Sequence, residues 1–241
     1  MTLCDLSTYR VSLRKPISIT YRNHTIYSCG APSGGSVALS ILKTIEGYAA
    51  TKNLALETHC LDEAMRFSYA ARLSLGDPDF FSYMDTFESR MLTPETASSI
   101  RSRIPDDTTH QHILLFTQNY FLPTNHGTSH IVATDATGLS ITLTSTINLL
   151  FSSQLVVPET GVIMNNEIND FSIPGVRNAF GFVPSSINYI RPHKRPLSSI
   201  SPLMSNIQMG RCFLALGRRG EVAFLRVRCR LRGMCWNMGW G

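Results

Sequence analysis

The sequence lacks the usual signatures of metal, redox and membrane proteins. Its six cysteines form no CxxC pair and no Cys/His set at zinc spacing, so we predict no metal and no cofactor. No apolar run approaches the roughly 20 residues of a transmembrane helix, and the start "MTLCDLSTYR" lacks the pattern of a signal peptide. We therefore predict no membrane segment, and the residues alone indicate no cellular location. Disulfides among Cys4, Cys29 and Cys60 stay open.

Acidic residues are nearly absent from the last 31 residues. Seven arginines and only Glu221 give that stretch a charge of +6, so the first 210 residues carry −1 of the net +5. A basic tail is one feature of RNA-binding segments, but the first 210 residues carry no net positive charge. We therefore predict no nucleic-acid partner. A nucleic-acid module remains the weakest functional alternative.

The rest of the composition is that of an ordinary globular protein, because 43% of the 241 residues are hydrophobic and 16% are charged. Residues 31–50 predict a Gly-rich turn and a helix, and residues 59–80 predict a second helix. Apolar residues at a four-residue spacing predict the buried face of the second helix, namely Leu61, Met65, Tyr69 and Leu73. Residues 93–127 are largely polar and turn-rich, which predicts a linker or a surface excursion.

An alternating pattern follows this segment. Residues 130–134 and 139–145 alternate in polarity on either side of the loop "DATG", which predicts a β-hairpin. We expect the face that carries Leu139, Ile141 and Leu143 to be buried. Helices followed by meandering strands predict a layered α+β fold or a sandwich.

The stretch "NHGTSHIVATD", residues 125–135, places a Gly-Thr pair at the start of this hairpin. A turn ending in Gly before a β-branched strand residue is one explanation. Chemistry offers another, because cutting the bond between Gly127 and Thr128 would free an amine beside a hydroxyl. A free α-amine has a pKa of about 7.7 to 8.0, so Thr128 would hold both a nucleophile and its base.

Six motifs in a fixed order cover most of residues 1–204. They are "PSGG" at 32–35, "EAMRFSYAARLSLGDPDF" at 63–80, "GTSH" at 127–130, "TSTIN" at 144–148, "GVIMNNEINDFS" at 161–172 and "KRPLSSISP" at 194–202. In this order they resemble the γ-glutamyltranspeptidases, or glutathione hydrolases, of the N-terminal-nucleophile hydrolase superfamily.

The resemblance implies an α+β fold, an incomplete αββα sandwich of the N-terminal-nucleophile hydrolase type. It divides the chain into residues 1–127, the C-terminal part of the large-subunit region, and 128–204, the small-subunit region with the nucleophile. Residues 205–241 are expected to be an aberrant basic tail, for which a frame shift or unspliced segment near residue 205 is the hypothesis. The family also suggests an extracellular, cell-surface or vacuolar location.

The implied reaction begins with self-cleavage between Gly127 and Thr128, which gives two subunits that stay together. Thr128 would then attack the γ-glutamyl amide of glutathione or another γ-glutamyl donor and form an acyl-enzyme. Water would release glutamate, and an amino-acid or dipeptide acceptor would give the transfer product.

The resemblance also assigns supporting residues. Thr146 would hydrogen-bond and orient the Thr128 hydroxyl, and Gly220 would belong to the oxyanion turn. His130 would support the self-cleaving geometry. The ammonium and neighbouring polar atoms of the γ-glutamyl group would be held by Asn148, Glu167 and Asp170. Its carboxylate would be held by a serine pair, Ser198 and Ser199.

The sequence departs from the family pattern at both ends. The family's carboxylate-binding arginine lies in an N-terminal region that is absent here, and "GRRGE" replaces its "GAAGG" turn, so that Glu221 stands where an oxyanion donor is expected. Ala71 replaces a usual Asp, and Ser152 replaces a Gly. The chain therefore looks truncated at both ends, and two alternatives to an active enzyme stay open. One is a catalytically inactive fragment or pseudoenzyme, and the other is a different amide acylase of the superfamily, such as a cephalosporin-acylase-like enzyme.

Overall fold

The structure is a computed structural model that describes residues 2–48, 53–109, 127–178, 183–207, 211–216, 230–231 and 234–235. The α-helices within these residues are α1 Leu3–Thr8, α2 Gly35–Glu46, α3 Leu54–Arg72, α4 Met84–Met91 and α5 Pro94–Arg101. Short 3-10 helices lie at Pro78–Phe80, Glu167–Asp170 and Ser186–Asn188. The strands are β1 Ile17–Tyr21, β2 His24–Ser28, β3 Thr128–Thr134, β4 Ser140–Thr146, β5 Val156–Val157, β6 Val162–Ile163, β7 Leu203–Ile207, β8 Arg211–Leu216, β9 Arg230–Leu231 and β10 Met234–Cys235.

A four-stranded antiparallel sheet has the order β1-β2-β7-β8. Its first two strands precede Gly127 in the chain, and its last two follow it. The sheet thus joins segments from both sides of the Gly127-Thr128 bond by backbone hydrogen bonds. A cut at that bond would leave this pairing in place.

Helix α2 covers one face of the sheet and forms a core with it. Leu39 and Leu42 of α2 pack with Ile19, Tyr21 and Leu203 of the strands. The start of α2 lies so close to β2 that a Cβ at Gly35 would come within 2.1 Å of the Cys29 carbonyl oxygen. Only glycine fits this approach, which explains the end of the "PSGG" motif.

Helix α3 confirms the second predicted helix but begins five residues before the predicted start, where the Asn53 side chain accepts the backbone N–H of Leu56 at 3.2 Å. The predicted face is not the most buried one, although Tyr69 packs against a core cluster. Its four apolar residues are only partly buried, while the buried positions of α3 are Cys60, Glu63, Ala64, Phe67, Ser68 and Arg72. One of these buried polar residues, Ser68, has a partner there, because its hydroxyl donates a hydrogen bond of 3.2 Å to Ser40 Oγ.

The predicted linker is wrong where α5 forms. Thr93 caps this helix by accepting the backbone N–H of Thr96 at 3.2 Å, Pro94 takes the first position, and Ala97 is buried. These capping residues outweigh the polar composition of the segment. Residues 110–126 lie outside the described residues.

The hairpin of β3 and β4 is confirmed, with Thr128 paired to Thr146 and Thr134 to Ser140. Its predicted burial is wrong, because Leu139, Ile141 and Leu143 are about half exposed or more. The hairpin instead turns its threonine and histidine face toward the protein body and contacts β8. The inward polar face is therefore the one that carries Thr128.

The predicted α+β class is confirmed by this arrangement of helices, sheet and hairpin. The thiols of Cys4, Cys29 and Cys60 are free, so none of the disulfides left open among them has formed. Within the described ranges, no helix has the length and apolar character needed to cross a bilayer.

Candidate active site

The Thr128 hydroxyl is held at the end of the hairpin. Thr128 is 7% exposed, and its Oγ1 donates a hydrogen bond of 2.9 Å to Thr146 Oγ1. The same Thr146 oxygen accepts the backbone N–H of Asn148 at 2.8 Å. Thr146 is thus fixed by the backbone that follows it, and it fixes the Thr128 hydroxyl in turn.

Gly127 packs against the backbone after β4. Its carbonyl oxygen accepts the N–H of Ile147 at 2.9 Å. A Cβ at this position would lie 2.2 Å from the Asn148 carbonyl oxygen and 2.6 Å from that of Leu149. Glycine is therefore required sterically, independently of any cleavage chemistry.

Asn148 occupies the left-handed region with φ of 72° and is buried. Its Nδ2 donates to the Asn166 carbonyl oxygen at 3.2 Å, and Asn166 Oδ1 accepts from the Leu149 N–H and the Ser152 hydroxyl. Sequence reasoning missed Asn166, although the "NNE" motif contained it. Ser152 has φ of 53°, which explains why glycine suits this position.

Glu167 and Asp170 lie on one 3-10 helix, whose three-residue turn brings their side chains together. Burial raises the pKa of Glu167, and hydrogen bonds with Asp170 and Thr146 offset part of this increase. Burial and the negative charge of Glu167 raise the pKa of Asp170 to about 7, and the positive charge of Arg72 opposes this. Among the described residues, the buried Glu167 Oε1 and Asp170 Oδ1 have no hydrogen-bond partner. The pair is suited to receive a cationic group.

Asn188 connects this pair to the serine segment. Its Nδ2 donates to the Asp170 carbonyl oxygen at 2.7 Å, and its Oδ1 accepts the Leu197 N–H at 2.9 Å. The side chain is 5% exposed. Sequence reasoning missed Asn188, because no pattern distinguishes it from an ordinary turn asparagine.

The serine pair rests on the "PSGG" loop. Ser198 N–H donates to the Pro32 carbonyl oxygen at 2.7 Å, and Gly34 N–H donates to the Ile200 carbonyl oxygen at 2.9 Å. Ser198 Oγ accepts the N–H of Ile200 within its own turn. Ser199 is buried, and its Oγ accepts a hydrogen bond of 2.9 Å from Arg72 Nη2.

His130 lies on the same strand face as Thr128, but its ring nitrogens contact β4. Nδ1 is 2.8 Å from Thr144 Oγ1 and Nε2 is 3.1 Å from Thr142 Oγ1, and burial lowers the pKa of the ring. The described contacts of His130 do not include Thr128. Gly220 and Glu221, assigned to the oxyanion turn, lie outside the described residues.

A continuous set of contacts links most of the assigned residues. It runs from Thr128 to Thr146, then to Glu167 and Asp170. Asn188 and Arg72 extend it to the segment of Leu197 and Ser199. In the part of the chain that the structure describes, no group of three or more His, Cys, Asp or Glu is placed to hold a metal ion.

The comparisons with known proteins agree. Residues 1–224 match the family model described as gamma-glutamyltranspeptidase. The chain is 46% identical over 227 residues to a glutathione hydrolase proenzyme of Arthroderma benhamiae, and 40% identical over 225 residues to a glutathione hydrolase of Aspergillus flavus. These alignments cover 91% and 92% of the chain but 38% of each relative, so the chain spans under two fifths of their length.

A solved structure shows the same fold. The cephalosporin acylase from Bacillus halodurans superimposes with a TM-score of 0.66 and 25% identity, covering 86% of this chain and 35% of that one. This confirms the predicted fold type, that of the N-terminal-nucleophile hydrolases. With the family model matching most of its length, the chain belongs to the γ-glutamyltranspeptidase family, whose relatives are named as glutathione hydrolases.

Proposed function

We propose that the chain transfers γ-glutamyl groups from glutathione or a related conjugate to water, or to an amino acid or dipeptide, through an ester with Thr128. The observation that carries this proposal is the hydrogen bond from Thr128 Oγ1 to Thr146 Oγ1, next to Gly127 and in contact with Glu167 through Thr146. Family membership and the names of the relatives support it.

The first step would be self-cleavage. Thr128 Oγ1 attacks the Gly127 carbonyl carbon, and the hydroxyl proton passes to the Thr128 nitrogen as the C–N bond breaks. Water then hydrolyses the resulting ester to a Gly127 carboxylate and restores the Thr128 hydroxyl beside its free amine. The Ile147 N–H, which already donates to the Gly127 carbonyl oxygen at 2.9 Å, would stabilise the negative charge that develops there. The name "proenzyme" given to a relative supports a cleaved precursor.

The second step would use the new amine. It accepts the proton of the Thr128 hydroxyl while the oxygen attacks the γ-glutamyl amide carbon, and it returns that proton to the departing amine. Thr146 holds the hydroxyl oxygen at 2.9 Å, so the nucleophile is oriented before the donor arrives. Water or an acceptor amine then attacks the ester and regenerates Thr128.

The donor's head group would lie between two sets of residues. The carboxylates of Glu167 and Asp170 would bind the ammonium, with the Asn148 amide as an orienting partner. Glu167 Oε1 and Asp170 Oδ1, which have no hydrogen-bond partner among the described residues, would take this contact. The hydroxyls of Ser198 and Ser199 would donate to the α-carboxylate.

The likeness to a cephalosporin acylase gives a second candidate, an amide acylase of different donor specificity. The carboxylate pair favours the γ-glutamyl donor, because an acyl group without an ammonium would leave the buried oxygens Glu167 Oε1 and Asp170 Oδ1 without a partner.

The test is to incubate the purified chain with γ-glutamyl-p-nitroanilide and with glutaryl-p-nitroanilide, which lacks the ammonium. We expect anilide release from the first donor alone and a transient γ-glutamyl mass on a peptide that begins at Thr128. Thr128→Ala should abolish both signals, while the matched control Ser129→Ala, at the exposed neighbour, should keep them. Preference for the glutaryl donor would favour the acylase, and label on another residue would contradict the proposed nucleophile.

A further inference from the structure

Arg72 is a buried cation that the proposed reaction does not use. It is 6% exposed at the end of α3, in the segment before Gly127. Its Nη2 donates to Ser199 Oγ at 2.9 Å and to the Leu197 carbonyl oxygen at 3.4 Å. Both acceptors belong to the segment after Gly127.

The contact with Arg72 determines whether the Ser199 hydroxyl acts as a donor or an acceptor toward a ligand. A hydroxyl has one proton and two acceptor lone pairs, and the guanidinium occupies one of these lone pairs. Repulsion from the guanidinium hydrogens directs the Ser199 proton away from Arg72, and the positive charge makes the hydroxyl a stronger donor.

Arg72 also lies near the carboxylate pair. Arg72 and Asp170 line the same small cleft, together with Ser172 and Asn188. The positive charge of Arg72 favours the ionised form of Asp170. The guanidinium is therefore placed between the groups assigned to the two charges of an α-amino acid.

We propose that Arg72 is a positioning residue for α-carboxylate recognition, which acts by aligning and polarising the Ser199 hydroxyl. This inference rests on the proposed function. It makes the binding site depend on the segment before Gly127, so both products of self-cleavage would contribute to it.

The experiment compares two ligands that differ only in the α-carboxylate. L-Glutamate carries it, and 4-aminobutanoate keeps the ammonium and the γ-carboxylate without it. Binding of each to the full chain is measured by ligand-observed NMR for the parent, Arg72→Met, Arg72→Lys, Ser199→Ala and the double variant that combines Arg72→Met with Ser199→Ala. The matched control is Arg101→Met, because Arg101, like Arg72, donates to backbone carbonyl oxygens, in its case those of Lys43 and Thr44, but lies outside the site.

We expect Arg72→Met to weaken glutamate about tenfold and to leave 4-aminobutanoate unchanged, since hydrogen bonds to charged groups have this magnitude. Ser199→Ala should give the same selective loss, and the double variant no further loss. Arg72→Lys keeps the charge without the guanidinium geometry and should give an intermediate selective loss. If Arg72→Met does not fold, the binding of the two ligands to Arg72→Lys tests the inference.

Equal weakening of both ligands would show that Arg72 only supports the fold, and parent-like binding would show that it has no role; either result overturns the inference. A parent chain that binds neither ligand would overturn the proposed function, and this inference with it. The two failures are therefore distinguishable.

Discussion

Thr128 and Thr146 form the first cross-strand pair of the hairpin, with their hydroxyl oxygens 2.9 Å apart. The Thr146 oxygen accepts from both the Thr128 hydroxyl and the Asn148 N–H. The hairpin register thus sets the direction of the proposed nucleophile.

Thr146→Val should slow self-cleavage and γ-glutamyl release about 10²-fold, because a nucleophile displaced by about 1 Å loses that much rate. Valine keeps the β-branched shape and replaces the hydroxyl, which accepts from Thr128 and hydrogen-bonds with Glu167, by a methyl group. Thr142→Val is the control, since Thr142 lies on the same face of β4 and contacts His130 instead. Equal rates in the two variants would contradict the orienting role of Thr146.

Gly127→Ala should destabilise the folded chain by about 2 to 3 kcal/mol or more, because its Cβ would lie 2.2 Å from the Asn148 carbonyl oxygen. Gly161→Ala is the control, with φ of 70° but nothing within 4 Å of its Cβ, and should lose only about 1 kcal/mol. Urea unfolding measures the loss in the free energy of unfolding for both variants. A loss at Gly127 no larger than at Gly161 would show that the close packing is absent.

Asp170 should make stability depend on pH. Its pKa rises from 3.8 to about 7 on folding, so the folded chain binds more protons than the unfolded chain across this window. The free energy of unfolding therefore falls as pH rises from about 4 to 7. Asp170→Asn, which is neutral throughout, should remove the part of this fall that belongs to Asp170, about 1.4 kcal/mol per pKa unit, and leave the part due to Glu167, whose pKa burial also raises.

The control for this prediction is Asp62→Asn, because the Asp62 side chain is half exposed and pairs with Arg66 at the surface. Urea unfolding of the three proteins at pH 4, 5.5 and 7 supplies the comparison. Parallel pH profiles for the parent and Asp170→Asn would contradict a raised pKa at Asp170.

Local patterns were sufficient to predict the hairpin, helix α2 and the existence of α3. They did not predict which face of the hairpin and of α3 is buried, because hydrophobic periodicity assumes that the apolar face turns inward. In the hairpin the polar face turns inward with Thr128, Thr142 and Thr144, and in α3 the buried stripe includes Ser68 and Arg72.

The predicted site residues came from the motifs, whereas the residues that hydrogen-bond to them and hold them in place could not be predicted. Arg72, Asn166 and Asn188 are single polar residues whose partners lie 127, 18 and 18 positions away in the chain. No periodic pattern marks such pairs, since tertiary packing alone brings them together. The sequence predicted a turn at the "PSGG" motif, but the backbone contacts of this turn with Ser198 and Ile200 depend on tertiary packing.

The most direct test of the central claim is intact-mass spectrometry of the purified chain beside Thr128→Ala and Ser129→Ala. The account predicts two fragments, residues 1–127 and 128–241, from the parent and from Ser129→Ala, with masses that together exceed the uncut chain by one water. Thr128→Ala should remain a single chain. An uncut parent, or cleavage that persists in Thr128→Ala, would contradict Thr128 as the residue that cuts the chain and then serves as its nucleophile.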